Sequence, residues 1–545
     1  MSSGSNARVN KFARLWQRLH DPEWRRYGAV LLAGKFGAIA ILFMLFALMT
    51  AVTGTPAHAA DPVIKGNDVV SPVNTLWVLL AAFLVFGMQI GFTMLEAGFC
   101  RSRETVNVLM ECIVDTCLCG ILFYAWGFAF MFEHGNGFIG WHWADHPRQT
   151  AFFLHGAPET YESTGVAFLA YWLFQFAFAD TCSTITSGAM IGRTSFIGDL
   201  IYSVGVSGFI YPIVGHWAWG PDGFLAMMGS PAAAGSPQNF LPHLGQPFHD
   251  FAGSTVVHTI GGFIALAGAI VLGPRLGRKF ARDGGGPMLP HDLVIAASGG
   301  LILWFGWYGF NPGSTLSIMD FQGAGRVAAN TTLAACAGGL AAMFVAYPFT
   351  KKWDLGFTVN GFLAGLVAIT CPCYWVDPTG AILLGAVAGG VVVAGVQLLE
   401  HLRIDDPIGA VPVHGFAGIW GTLSLGLFAC GKYYQTGPFG ADNSTPLKGL
   451  FYGGGWTIFL AQLIGSATIT VATFVVAFVM MWAINAVKLL RVSKEGEMEG
   501  LDVHEHGLPP YPEFVLHDSP TAHSMVDAPR EAPEAVHVAP MTTTD

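Results

Sequence analysis

The chain contains two matching stretches, Asp250-Phe-Ala-Gly-Ser-Thr-Val-Val-His258-Thr-Ile-Gly-Gly262 and Asp406-Pro-Ile-Gly-Ala-Val-Pro-Val-His414-Gly-Phe-Ala-Gly418. Asp, Gly, Val, His and Gly coincide at equal offsets, which indicates an internal repeat. Each stretch opens an apolar run, and a histidine in such a run is costly within a bilayer. His258 and His414 are therefore candidates for a functional site. The alternative is that they only hydrogen-bond between helices.

The composition is that of a membrane protein. Of the 545 residues, 53% are hydrophobic and 11% are charged, against roughly 25% charged residues in a soluble domain. These charges are too few to cover the apolar surface of a soluble fold. The mean hydropathy of +0.51 excludes disorder for the bulk of the chain. A net charge of −10 without a basic patch argues against nucleic-acid binding.

Eleven apolar stretches are long enough to cross a bilayer, each roughly 17–25 residues. Halves of five spans each insert with opposite orientations because five is odd. We therefore expect an all-α polytopic membrane protein with eleven transmembrane helices. It has two inverted five-helix repeats, at about 75–273 and 292–431, and a last helix at about 456–486. The spans begin near Thr75, Val106, Gly165, Phe196, Phe251, Asp292, Val327, Phe357, Ala381, Val411 and Trp456.

The basic residues of the loops set the expected orientation. Alternate loops, starting with the one after the first span, hold most of the Lys and Arg together with the C-terminal flank. By the positive-inside rule these loops are cytoplasmic. The mature N-terminus then lies outside and the C-terminus inside, and we expect a multi-pass protein of the cell (inner) membrane.

The two ends of the chain differ from its apolar centre. Residues 1–59 combine a long basic leader, an apolar run and Ala57-His58-Ala59, which is typical of a secretory signal peptide. An uncleaved first span is the alternative. Residues 491–545 form a polar tail, which we expect to be cytoplasmic and disordered after about residue 518.

Aromatic residues cluster at the ends of three spans. Phe174, Phe176 and Phe178 lie on the third, Trp217 and Trp219 end the fourth, and Trp304, Trp307, Tyr308 and Phe310 end the sixth. One interpretation is an interfacial aromatic belt. The other is a cation site, because an aromatic face attracts an ammonium-type ion by roughly 0.5–2 kcal/mol.

These motifs together resemble the ammonium transporter family (Amt, Mep and Rh proteins) from about Leu76 to Gly507. Matching stretches are Gly91-Phe-Thr-Met-Leu-Glu-Ala-Gly98, Phe174-Gln-Phe-Ala-Phe178, Gly306-Trp-Tyr-Gly-Phe310-Asn-Pro-Gly-Ser314, both Asp-to-His segments and the tail motif Gly500-Leu-Asp-Val-His-Glu-His-Gly507. The resemblance implies a homotrimer with one pore per subunit. The tail motif around Gly500–Gly507 is a candidate contact for a cytoplasmic regulatory protein. The resemblance also implies roles for these residues: Trp219, Phe178 and Ser314 in ammonium recruitment with Asp250 nearby, Phe178 and Phe310 as a gate, and His258, His414 and Trp307 in the pore.

Two positions depart from the family pattern. Gly192 precedes Arg193 where Ala-Glu-Arg is common, and Asp180 lies two residues from the gate position Phe178. Asp180 either draws cations inward or is a buried acid bonded to Thr or Ser neighbours. We favour the second interpretation.

The function expected from these features is ammonium transport. The ion would bind at the outer aromatic site, lose a proton and cross as ammonia past the two histidines, with or without that proton. Methylammonium would serve as an analogue, and lipid would surround the protein. Alternatives are an ammonium sensor with little flux and, more distantly, a haem protein with two histidine ligands. We expect no enzyme activity, cofactor or metal, because no catalytic motif organises the chain.

Overall fold

The computed structural model describes residues 70–141, 152–161, 164–434 and 446–512. The predicted signal peptide and the disorder expected after about residue 518 lie outside these ranges. The long helices are α1 Val70–Phe99, α2 Ser102–Phe132, α3 Phe168–Gly188, α4 Phe196–Met227, α5 Ser254–Leu272, α6 Leu293–Thr315, α7 Phe321–Thr350, α8 Leu355–Thr370, α9 Pro378–Leu402, α10 Val411–Phe428 and α11 Thr457–Ala486. Two short helices follow, α12 Lys494–Glu499 and α13 Leu501–His506.

A long helix begins close to each of the eleven predicted starts. Within the described residues, nine of them are long and apolar enough to cross a membrane. The other two are α3, which carries a polar second half, and α8, which has 16 residues. The described part of the chain holds isolated β-bridges but no strand. The all-helical fold class is thus confirmed, whereas the number of eleven crossings stays a prediction.

The last helices of the two halves, α5 and α10, pack against each other and run in opposite directions. Contacts between α5 and α10 join Thr255 to Thr422, whose hydroxyl oxygens lie 2.6 Å apart. They also join Thr259 to Gly418, and Gly262 to Gly415. Residue numbers rise along one helix as they fall along the other, as inverted halves require.

The α1–α6 pair follows the same rule. Gly98 packs on the backbone of Ala296, and Gly306 packs on Met88. Cβ atoms at these glycines would overlap the partner helix. Small residues allow this close approach, which stabilises helix pairs in lipid by van der Waals contact.

Both histidine segments begin with the same backbone arrangement. Each starts with a glycine at positive φ, 110° at Gly253 and 82° at Gly409, a conformation that favours glycine. A π-helical turn then carries the histidine, in Ser254–Thr259 and in Val411–Phe416. Such turns occur often at functional sites because they re-aim side chains inside a helix.

The tail motif is folded against the membrane helices. The Asp502 carboxylate accepts the backbone N–H of Asn107 at the start of α2, at 2.8 Å. Arg103 donates to the carbonyl oxygen of Met498 at 2.8 Å. Burial raises the pKa of Asp502 to about 6, against the lowering effect of the N–H donors of α2. The described tail therefore closes one end of the first half.

Candidate functional site

A cavity of about 400 Å³ is lined by all four residues predicted for recruitment. We call it the outer cavity, because the predicted orientation places it on the outside. The four residues come from four different segments, and the cavity brings together side chains that are far apart in sequence. Phe178 belongs to α3, Trp219 ends the regular part of α4, Asp250 precedes α5 and Ser314 ends α6.

Two hydrogen bonds fix the polar groups of this cavity. The indole N–H of Trp219 donates to the carbonyl oxygen of Asp250 at 2.7 Å. The Ser314 hydroxyl donates to the carbonyl oxygen of Phe310 at 2.8 Å, which leaves its oxygen lone pairs as acceptors. The rings of Phe178 and Trp219 meet edge to face, with centroids 6.2 Å apart. The cavity thus offers aromatic surface beside an acceptor oxygen.

The carboxylate of Asp250 is committed to the backbone. Its two oxygens accept N–H groups from Gly253, Ser254, Thr255 and Val256 at 2.9–3.1 Å. It therefore anchors the start of α5, and its carbonyl holds Trp219. Asp250 is thus a cap of α5, and its carboxylate is held by backbone groups.

Phe178 lines the cavity and contacts Phe310, the other residue predicted for the gate. Their ring centroids lie 4.1 Å apart with an angle of 30° between the planes. The two side chains are 1% and 0% exposed. The two rings are therefore in direct contact with each other.

The twin histidines, His258 and His414, lie directly behind Phe310. The His258 ring stacks on Phe310 with centroids 5.3 Å apart, and on Trp307 at 5.1 Å. The Nδ1 atoms of the two histidines are 3.2 Å apart, and Trp307 is held by a bond from its Nε1 to the Thr370 hydroxyl at 2.9 Å. Among the described residues, Nε2 of the buried His258 has no hydrogen-bond partner.

The pair does not suit the haem alternative. Axial nitrogens on opposite sides of an iron would lie about 4 Å apart, at roughly 2 Å from the metal each, with a porphyrin between them. Here the imidazoles are stacked at 24° with their Nδ1 atoms in direct contact.

Sequence reasoning missed several residues of the site. His249, Gln175 and Trp375 also line the outer cavity, and the Phe92 ring lies 6.3 Å from the His414 ring. Phe92 stands inside the motif Gly91–Gly98, so an aromatic residue in mid-span was the available signal. Nothing local marks Trp375, because it reaches the cavity from the other half of the chain.

The two departures from the family pattern have structural counterparts. Asp180 is fully buried beside Thr116 and Gln89. Gly192 has a φ of 82°, and the carboxylate of Glu104 occupies the space where its side chain would lie. Glu104, which pairs with Arg101, thus fills the space beside Gly192 from a different helix.

The chain is similar to known proteins over most of its length. A profile of the Ammonium Transporter Family matches residues 76–511. The chain is 41% identical to ammonium transporter Amt2 of Archaeoglobus fulgidus over 482 residues, which cover 88% of this chain and 96% of the relative. It is 37% identical to ammonium transporter 1 member 1 of Arabidopsis thaliana, covering 81% and 85%.

Solved structures give the same result. A sensor Amt protein matches with a TM-score of 0.67 and 34% identity, covering 80% of this chain and 99% of that one. Saccharomyces cerevisiae Mep2 matches with a TM-score of 0.65 and 26% identity, covering 78% and 88%. With its apolar helices, the chain is a multi-pass membrane protein. A profile match over most of its length and a relative at 41% identity place it in a single family: the chain belongs to the ammonium transporter family.

Proposed function

We propose that this protein recruits ammonium at the outer aromatic site, removes a proton from it and conducts ammonia, with or without that proton, past the twin histidines. The observation that carries the proposal is the direct contact of His258 and His414 behind the stacked rings of Phe178 and Phe310. Phe178 lines the outer cavity and contacts Phe310, and the Phe310 ring stacks on the ring of His258.

Recruitment uses the outer cavity. The faces of Phe178 and Trp219 attract the ammonium ion by roughly 0.5–2 kcal/mol, and the Ser314 oxygen accepts one of its N–H bonds. Asp250 contributes through Trp219 and the start of α5.

Selectivity arises beyond the ring pair. Moving a small bare cation into an apolar lumen has an idealised cost of order 20 kcal/mol, and several kcal/mol after relaxation. Potassium carries its charge into that lumen. Ammonium can leave a proton behind and cross as neutral ammonia.

The twin histidines suit the neutral form of the substrate. In the bond between the two Nδ1 atoms, one ring donates and the other accepts, so the rings hold complementary tautomers. The Nε2 atom of His258 then remains available to ammonia, in a wall otherwise formed by Trp307 and Phe310.

The assembly and placement are part of the same proposal. Residues 70–490 form the transporter domain of a homotrimer in the inner membrane, with the mature N-terminus outside. The tail from residue 491 is cytoplasmic and offers a surface to a regulatory protein. The charges of the loops support this orientation, and many large apolar side chains are exposed on the described helices, where lipid would cover them.

An ammonium sensor is the second candidate. The match to a solved sensor Amt protein favours it, since the same cavity could bind ammonium without appreciable flux. Reconstitution separates the two functions. A transporter accumulates labelled methylammonium in proteoliposomes, whereas a sensor binds it without accumulation.

The direct test of the mechanism is an ammonium-pulse experiment on His258→Ala and His414→Ala. We expect each variant to lose selective conduction, because the substitution removes one of the two paired imidazoles. Leu289→Ala, a change at an exposed loop residue, is the control and should behave as wild type. Normal methylammonium transport with normal selectivity in both histidine variants would contradict the mechanism.

A further inference from the structure

The outer cavity is much larger than the ion that the proposed function places in it. Its volume of about 400 Å³ falls within the range of sites that enclose whole organic ligands, roughly 300–1,000 Å³. A water molecule takes about 30 Å³ of liquid volume, and an ammonium ion is of similar size. Recruitment of ammonium at Phe178, Trp219 and Ser314 therefore uses only a part of the cavity.

The remaining space extends along α3. Tyr171, Phe174, Gln175 and Phe178 all line the cavity, and their spacing of three and four residues places them on one face of the helix. With a rise of 1.5 Å per residue, this face extends about 10 Å from Phe178 to Tyr171. The proposed function places ammonium at the Phe178 end, so the Tyr171 end has no assigned ligand.

Three aromatic residues, which we call the aromatic corner, surround the Tyr171 end. Tyr161 precedes α3 and stacks on Tyr171, with ring centroids 4.1 Å apart and 15° between the planes. Phe132, at the end of α2, meets Tyr171 edge to face with centroids 5.8 Å apart and an angle of 69°. All three line the cavity, and Phe132 and Tyr161 are partly exposed. The aromatic corner thus offers rings in two orientations to a ligand.

The charge of the cavity favours a cation. Among the described residues, no Lys or Arg lines the cavity, and Asp250 is the one acid that does. Each oxygen of its carboxylate accepts two backbone N–H groups at the start of α5, which is the arrangement of an ionised carboxylate. The carboxylate therefore contributes negative charge without needing a hydrogen-bond donor from the ligand. A ligand with a positive charge and no N–H group fits these surroundings.

We propose that the aromatic corner is a second cation subsite, which binds bulky methylated ammonium ions beside the recruitment site. Aromatic faces attract cations, and sites built from several such rings are the usual binding sites of quaternary ammonium ions. The inference rests on the recruitment step of the proposed function. A quaternary ion has no N–H bond, so it cannot lose a proton as ammonium does and stays in the cavity. As a like charge within about 10 Å, it opposes the binding of ammonium.

Tetramethylammonium is the probe, because it carries one positive charge, four methyl groups and no N–H bond. In proteoliposomes, we expect it to inhibit the uptake of labelled methylammonium competitively, with a higher apparent KM and an unchanged maximal rate. Labelled tetramethylammonium itself should not accumulate. tert-Butanol has a similar bulk without the charge, and it should not inhibit at the same concentration.

Tyr161→Leu tests the aromatic corner, because Tyr161 lies outside the helices and is partly exposed. Loss of one cation–π contact should weaken inhibition by tetramethylammonium roughly 2- to 30-fold, with a smaller change in the apparent KM for methylammonium. Tyr161→Phe keeps the aromatic face and should keep the inhibition. The matched control is Trp482→Leu, which removes an aromatic side chain that is 60% exposed on α11. It should be inhibited as the wild type is.

Equilibrium binding to the purified protein in detergent separates failure of this inference from failure of the proposed function. Bound tetramethylammonium that ammonium displaces supports the aromatic corner. If the wild type shows this binding but no methylammonium uptake, the proposed conduction is contradicted and the subsite is not. Methylammonium uptake without binding of tetramethylammonium overturns the subsite and leaves the proposed function intact.

Two further results would overturn the subsite. Equal inhibition of the wild type and Tyr161→Leu would show that the aromatic corner does not hold the ion. Accumulation of tetramethylammonium inside the proteoliposomes would show that the ion passes through the protein and does not stay in the cavity.

Discussion

The Asp250 and Asp406 segments share a backbone and differ in their surroundings. In both, an aspartate accepts N–H groups of the following turn, a glycine at positive φ comes next, and a π-helical turn presents a histidine. The first segment, however, borders the outer cavity and its histidine is enclosed by Trp307 and Phe310. The duplicated backbone thus places two equivalent imidazoles, and side chains from other helices make the surroundings of the two imidazoles unequal.

The second segment is anchored by charge instead of aromatic rings. Asp405, which precedes Asp406, binds Arg275 through two bonds of 2.8 and 2.9 Å. The fully buried Arg193 donates to the Asp405 carbonyl oxygen at 2.7 Å. Burial alone would raise the pKa of Asp405, but the guanidinium of Arg275 holds it well below its usual range.

Of the substitutions that would test the difference between the two segments, Asp405→Asn is expected to lower the free energy of unfolding the most. Removing one partner of a buried ion pair costs about 3–5 kcal/mol, because Arg275 stays buried without its counter-charge. The folded-state pKa of Asp405 is depressed, so its stabilisation is full above its ordinary pKa of 3.8 and declines only as the pH falls below that value. Thermal unfolding in detergent should show a lower midpoint for the variant at pH 7 and a smaller difference in strong acid.

Glu400→Gln, at the edge of the same cluster, is the control for Asp405→Asn. Glu400 pairs with Arg278 and is more exposed than Asp405, so its removal should cost less. Equal midpoints for wild type and Asp405→Asn at pH 7 would contradict the charge anchor.

A smaller free-energy cost is expected from replacing either capping aspartate, Asp250 or Asp406, by alanine. Loss of a charged acceptor costs about 1.5–3 kcal/mol, and both Asp250→Ala and Asp406→Ala should slow transport by misplacing a histidine. Only Asp250→Ala should also weaken apparent ammonium affinity, because the Asp250 backbone holds Trp219. Concentration dependence of the ammonium-pulse current separates rate from affinity. An equal loss of affinity in both variants would show that the outer cavity does not distinguish the segments.

The smallest effect is expected from Trp219→Leu, which removes one aromatic face and leaves both segments in place. A cation–π contribution of about 0.5–2 kcal/mol corresponds to roughly a 2- to 30-fold weaker apparent affinity. Trp217→Leu removes a neighbouring indole that bonds to the Phe138 carbonyl instead, and it should leave the affinity near that of the wild type. If the two variants lost affinity equally, Trp219 would have no special part in recruitment.

The sequence by itself determined the helical membrane fold, the internal repeat and the candidate residues. Each of these follows from a local signal: the length of an apolar run, an equal spacing of Asp and His, or a cluster of aromatic residues at the end of a span. Each signal lies within the order of residues along the chain, so it can be recognised without knowing which helices contact each other.

Tertiary structure alone decided the contacts. The 3.2 Å separation of His258 and His414, the ring pair of Phe178 and Phe310 and the burial of Asp180 beside Gln89 depend on how helices distant in sequence cross. The carboxylate of Glu104 beside Gly192 could not be read from either position alone. The angles at which these helices cross depend on the close packing of many small residues from several helices. No short motif contains all of these residues, so the crossing angles cannot be predicted from one.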